Sequence, residues 1–134
     1  MQNVECRMMN VECGIMKIGT FMEDNVIKRK SRLFAIDIVR VYQWLCEEKH
    51  EFIMSKQLLR SGTSIGANVA EGVRGQSKAD FYAKMNIALK EASETSYWLD
   101  ILHETDYLPN DRFNDLNNKN EELLSILVAI LKNR

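Results

Sequence analysis

No stretch of about 18 apolar residues occurs in this chain, which argues against a membrane-spanning helix. The N-terminus lacks the charged, apolar and small-residue succession of a signal peptide, so secretion is not expected and a cytoplasmic home is. The three cysteines, Cys6, Cys13 and Cys46, are an odd number without a C-x-x-C pair. That argues against a disulfide framework and against a structural zinc site. Net charge is scarce too: a formal value of −1 supplies no global attraction to nucleic acid or to an acidic membrane surface.

The residue sets that catalysis needs are also missing. His50 and His103 are the only histidines, and the sequence ties neither to a nucleophile and an orienting acid. A di-iron bundle requires two E-x-x-H motifs plus two further glutamates, and Asp100-Ile101-Leu102-His103 is the single approximation. The G-V-R-G-Q-S-K run at 72–78 lacks both the spacing of a phosphate loop and a preceding strand. It reads as a helix end, a turn and a helix cap. No enzymatic activity, cofactor, metal or small-molecule substrate is expected.

What is present is architecture. With 46% hydrophobic content over 134 residues, the chain can build one domain with a real core and is too short for two of ordinary size. Its most informative stretch is R-S-G-T-S-I-G-A-N-V-A-E-G at 60–72, which reads as helix although glycine there costs about 1 kcal/mol relative to alanine. Gly62, Gly66 and Ala70 recur every fourth residue. They form a smooth stripe on which another helix can pack closely.

Four helical segments follow from about Asn25. In the first, to about Lys49, Phe34, Ile38, Val41, Tyr42 and Leu45 repeat at three- and four-residue intervals, with the start at Ser31 or nearer Asn25. The second runs from about Met54 to Val73, with Gly75 placed to end it in the left-handed conformation that glycine tolerates. Ser77 caps the third, with Asp80 in a variant capping box, and it continues to about Thr105 with Phe81, Met85, Ala88, Ala92, Thr95 and Leu99 facing inward. Pro109 suits the first turn of the fourth. Its seam is Phe113, Leu116, Asn120, Leu123, Leu127 and Ile130, in which Asn120 resembles the single polar residue that fixes register in coiled coils. Short connections make the expected fold all-α, an antiparallel up-down-up-down four-helix bundle.

Several polar residues need an account. On the second helix Arg60, Ser64, Ala67 and Glu71 share a face, with Asn68 beside them. Folding at Gly75 brings Arg60 level with Glu91 and Glu94, and folding at the first connection brings Asp37 near Ser64 or Asn68. A structural polar network of Asp37, Arg60, Ser64, Asn68, Glu71 and Glu94 is expected, with Arg60–Glu94 as a semi-buried pair. Trp44 and Trp98 fit as packing anchors or contacts between subunits.

Lys28, Arg29, Lys30 and Arg32, with Arg40 further on, are the candidates for contact with RNA or DNA phosphates. They lack interleaved aromatics for stacking on bases, and an ordinary solvated face is the competing reading. Residues 25–90 carry 12 Lys and Arg against 6 Asp and Glu, whereas residues 91–134 carry 4 against 9. The two halves can attract each other within one bundle or between neighbouring subunits.

The opening differs from the rest. N-V-E-C-R-M-M at 3–9 is followed by the near-duplicate N-V-E-C-G-I-M at 10–16, too short for a coiled coil. Residues 1–24 are expected to be a flexible or peripheral extension and residues 25–134 the bundle domain.

The motifs N-V-I-K-R-K-S at 25–31, L-L-R-S-G-T-S-I-G-A-N-V-A-E-G at 58–72, G-Q-S-K-A-D-F at 75–81, I-A-L-K-E-A at 87–92 and E-T-S-Y-W-L at 94–99 together resemble the bacterial 23S rRNA intervening-sequence proteins. The resemblance implies a left-handed antiparallel four-helix bundle that assembles as a ring, commonly a homopentamer, without known enzymatic activity. A related bundle, the accessory protein of diversity-generating retroelements, forms a basic pentameric barrel that engages nucleic acid. This chain departs from it in being nearly neutral.

Overall fold

In a computed structural model the backbone is described for residues 15–133 and the side chains for residues 26–133. Four helices make up the fold: α1 (Ile15–Lys49), α2 (Met54–Val73), α3 (Lys78–Glu104) and α4 (Asn110–Lys132). Each packs on its sequence neighbours and α4 returns to α1, while the backbones of the diagonal pairs α1/α3 and α2/α4 stay more than 8 Å apart, Cα to Cα, among the described residues. Turns this short reverse the chain each time. The result is the antiparallel up-down-up-down square that the apolar periodicities require.

The interior is drawn from all four inner faces. Phe34, Ile38, Val41 and Leu45 of α1, Leu58, Ile65 and Val69 of α2, Met85, Ala88, Ala92 and Leu99 of α3, and Leu116, Leu123, Leu127 and Ile130 of α4 form one buried cluster. Small residues on α3 and the glycines on α2 bring the backbones together. Larger aliphatic side chains on α1 and α4 fill the remaining volume.

Three boundaries differ from expectation. α1 is described from Ile15, upstream of both Asn25 and Ser31, and no proline interrupts residues 15–31. Ser31 therefore sits inside the helix rather than capping it; it is buried, and its hydroxyl donates to the Lys28 carbonyl at 3.3 Å. Most of the tandem repeat at 3–16, and residues 1–14 of the expected extension, lie outside the described residues.

Gly75 is not left-handed, since no described glycine has a positive φ, and α2 ends with Arg74 at φ −88°. Its glycine serves proximity instead: a Cβ there would lie 3.0 Å from the Gly72 carbonyl oxygen and 3.2 Å from Asp80 Cβ. Two residues on, Ser77 caps α3 as expected, its hydroxyl accepting from the Asp80 amide at 3.1 Å. Pro109 stands just before α4 as its extended N-cap residue, at φ −68° and ψ 163°.

Candidate interaction surface

The small-residue stripe of α2 is used up inside the chain. A Cβ on Gly62 would lie 2.7 Å from Ile38 Cγ1, and one on Gly66 would lie 3.1 Å from the Ser31 carbonyl oxygen. Ala70, the next position on the stripe, is half-buried. Gly72 faces the other way, where a Cβ would meet Met85 Cε at 2.7 Å. With α2 wedged between α1 and α3, the outward surface belongs to other faces.

Polar side chains divide into separate ties. Arg60 places Nη2 2.6 Å from Glu94 Oε1 and Nη1 3.3 Å from Glu91 Oε1, joining α2 to α3. Trp98 Nε1 also donates to Glu94, at 3.1 Å. The Arg60 guanidinium, with help from the Trp98 indole, lowers the Glu94 carboxyl from its ordinary value. Arg60 is 48% exposed and Glu94 37%, so water screens the pair more than a semi-buried one. Ser64 and Asn68 bond along their own helix, to the carbonyls of Arg60 at 2.6 Å and Ser64 at 2.8 Å. Glu71 pairs with Lys84 at 2.8 Å.

Asp37 does not reach Ser64 or Asn68; it pairs with Lys119 at 2.8 Å. The Lys119 ammonium also lies 3.2 Å from Asp115, and the Asp37 carboxylate is the first cause that raises its pKa. Lys30 pairs with Glu122 at 2.8 Å. These two rungs tie α1 to α4 beside a groove of about 360 Å³ whose lining includes Arg29, Leu33, Ile36 and Leu123. Further along the same seam, Arg112 places its guanidinium carbon 4.2 Å from the Trp44 ring centroid, a cation–π contact.

The core carries a polar layer as well. Thr95 donates to Ser61 at 3.0 Å, while Asn120 Nδ2 donates to the Ala92 carbonyl at 2.9 Å and to Ser96 Oγ at 2.8 Å. Asn120 Oδ1 is buried without a partner among the described residues. Sequence reasoning missed a second buried device, the Glu51 carboxylate, which accepts from the amides of Ile53, Met54 and Ser55 at 3.2, 3.0 and 2.7 Å. It satisfies donors that the α2 N-terminus would leave open. The signal was available in Glu51 standing four residues before Ser55, whose hydroxyl donates back to the Glu51 carbonyl at 2.7 Å.

No group of three or more His, Cys, Asp or Glu among the described residues could hold a metal ion. His103 stacks on Phe113, with ring centroids 4.1 Å apart, and sits 2.6 Å from Asn110 Oδ1. His50 is exposed at the α1–α2 turn with φ 54°. Neither histidine faces a nucleophile.

The outer face of α1 stands apart. Lys28, Arg29, Arg32 and Arg40 are exposed, and no ion pair engages them among the described residues. Of the five basic candidates, only Lys30 forms an ion pair among the described residues. Between them Leu33, Ile36 and Val39 are exposed by 48%, 38% and 39%. Residues 29, 33, 36 and 40 fall on one line of a helix. That line is a cationic–apolar–apolar–cationic strip with no counterpart inside the chain.

The sequence pattern of the family described as 23S rRNA-intervening sequence protein matches residues 23–129. A crystal structure of a protein of unknown function from the S23 ribosomal protein family of Bacteroides thetaiotaomicron VPI-5482 is similar at 52% identity with a TM-score of 0.80, covering 82% of this chain and 98% of that one. No functionally curated protein matches the chain.

Proposed function

The chain belongs to the 23S rRNA-intervening sequence protein family, and from that premise we propose that it works by assembly: a non-enzymatic four-helix bundle that forms a homo-oligomeric, pentameric ring in the cytoplasm. The observation that carries this reading is the exposed Leu33–Ile36–Val39 strip among arginines that make no ion pair with the described residues. A contiguous apolar strip left open on one helix is the mark of a surface that another macromolecule covers. The pentamer itself rests on the family resemblance. No described helix is long and apolar enough to cross a membrane, and no membrane role is proposed.

Size exclusion with light scattering tests the proposal. The expected mass is five times that of the 15.6 kDa chain; a single-chain mass at micromolar concentration overturns it.

A second reading is an accessory module that binds RNA or DNA, with Lys28, Arg29, Arg32 and Arg40 contacting phosphates and Lys30 released from Glu122. Four exposed cations on one helix favour it. Such binding weakens steeply with salt and with joint neutralisation of those residues. Structured RNA that shows no retardation at low salt would remove this reading while leaving the ring untouched.

A further inference from the structure

The geometry points to the occupant of the α1 strip: it is the outer face of α3 from a second copy of this chain, centred on Tyr97, Asp100 and Glu104. This deepens the ring proposed above and rests on it.

The α3 outer face matches the α1 strip in length and offers it an aromatic ring and two carboxylates. Residues 93, 97, 100 and 104 fall on one helical line, as do 29, 33, 36 and 40, and both lines span eleven residues or about 16 Å. On α3 that line reads Ser93, Tyr97, Asp100, Glu104. Tyr97 is 57% exposed, and its ring stands edge-on to Trp98 with centroids 5.0 Å apart. A rigid, exposed aromatic on a helix is the kind of anchor that interfaces use. Asp100 and Glu104 are exposed, and neither pairs with a lysine or arginine among the described residues; His103 Nδ1 lies 3.8 Å from Glu104. Lys90, two turns before Tyr97, bounds the acidic line.

With the two lines parallel, Tyr97 lies over Leu33 and Ile36 and the two carboxylates lie toward Arg40, while Arg29 falls opposite Ser93. A phosphate backbone could answer the arginines but not the exposed aliphatic carbons. An acidic helix that carries an aromatic answers both, and this chain supplies one. α1 and α3 occupy diagonal corners of the bundle, with no Cα pair within 8 Å among the described residues. One copy can therefore present both faces at once, as a head-to-tail interface requires.

Charge reversal tests the pairing on the full chain. One variant carries Arg29→Glu, Arg32→Glu and Arg40→Glu; a second carries Asp100→Lys and Glu104→Lys; a third carries all five. These are exposed sites, so helicity by circular dichroism should be unchanged in each. Light scattering should give single-chain masses for the first two variants and the wild-type mass for the third. If the wild type is oligomeric and either partial reversal keeps its mass, the α1–α3 pairing is wrong and the ring stands. Failure of the fivefold variant to reassemble also overturns it, by removing α3 as the partner. A monomeric wild type sinks the ring first and this inference with it.

Discussion

Gly62 and Ile38 approach so closely that a Cβ on the glycine would lie 2.7, 2.9 and 3.0 Å from three carbons of the isoleucine side chain. Ile38 is fully buried and, being β-branched, is confined to about one rotamer in a helix. The contact therefore sets the α1–α2 separation. It explains how a helix tolerates glycine where alanine is preferred by about 1 kcal/mol.

Gly62→Ala should thus destabilise the bundle by about 1–2 kcal/mol, overpacking outweighing the gain in helix propensity. In an Ile38→Ala background the obstructing carbons are gone, and the same substitution should stabilise by about 1 kcal/mol. Urea unfolding of the four chains measures both. A Gly62→Ala chain more stable than wild type would mean that the helices approach less tightly than described.

Asn120 is fully buried and gives both amide hydrogens to α3. Asn120→Asp keeps the shape but puts a carboxylate beside the Ala92 carbonyl, where no cation reaches. An uncompensated buried charge costs about 3–5 kcal/mol. Burial raises the folded-state pKa of such an aspartate above its unfolded value. The variant should therefore be least impaired at acidic pH and lose stability as pH rises through that raised pKa. Urea unfolding at pH 4 and pH 7 decides; equal losses at both would argue that the carboxylate escapes to water.

Glu51, in the turn between α1 and α2, holds the start of α2 through backbone donors. Glu51→Ala should cost about 1–2 kcal/mol, as losing a helix cap does. Glu51→Gln keeps one acceptor oxygen and should cost less. Hydrogen exchange would locate the effect: the amides of Ile53, Met54 and Ser55 should lose protection while those of α4 keep theirs. Uniform loss along the chain would indicate a global role instead.

These sites differ in how far the sequence disclosed them. Apolar spacing of three and four residues gave away each helix and the inner faces, because burial on one side of a helix leaves that period directly in the residue order. The Arg60 pairing was legible because a single turn at Gly75 relates α2 to α3. Asp37–Lys119 was not, since it depends on α4 closing the square against α1, a relation between elements remote in sequence. Gly75 misled for a similar reason: lacking a side chain serves both a left-handed turn and close approach, and only the position of Asp80 distinguishes them. The α1 strip was half visible. Its cations stood out as a cluster, whereas Leu33, Ile36 and Val39 passed for ordinary helix residues until the inner face was known.

The Arg60–Glu94 tie yields a pH prediction whose sign can be worked through. The guanidinium and the Trp98 indole hold the Glu94 carboxyl below its ordinary value of 4.5, so folding binds the proton on Glu94 more weakly than the unfolded chain does. Stability from this source is in place above the ordinary value and is lost as pH falls through the lowered one. At 37% and 48% exposure for the two partners, solvent screening limits the pair to about 1 kcal/mol or less. Arg60→Gln should therefore move the Glu94 titration, followed by NMR, back toward the ordinary value while changing stability at pH 7 only slightly. Added salt should shrink the difference between wild type and variant. A Glu94 titration that does not respond to the substitution would mean that the 2.6 Å contact is not held in solution, and that α2 and α3 are joined by their packing, the Thr95–Ser61 hydrogen bond and the Glu71–Lys84 pair.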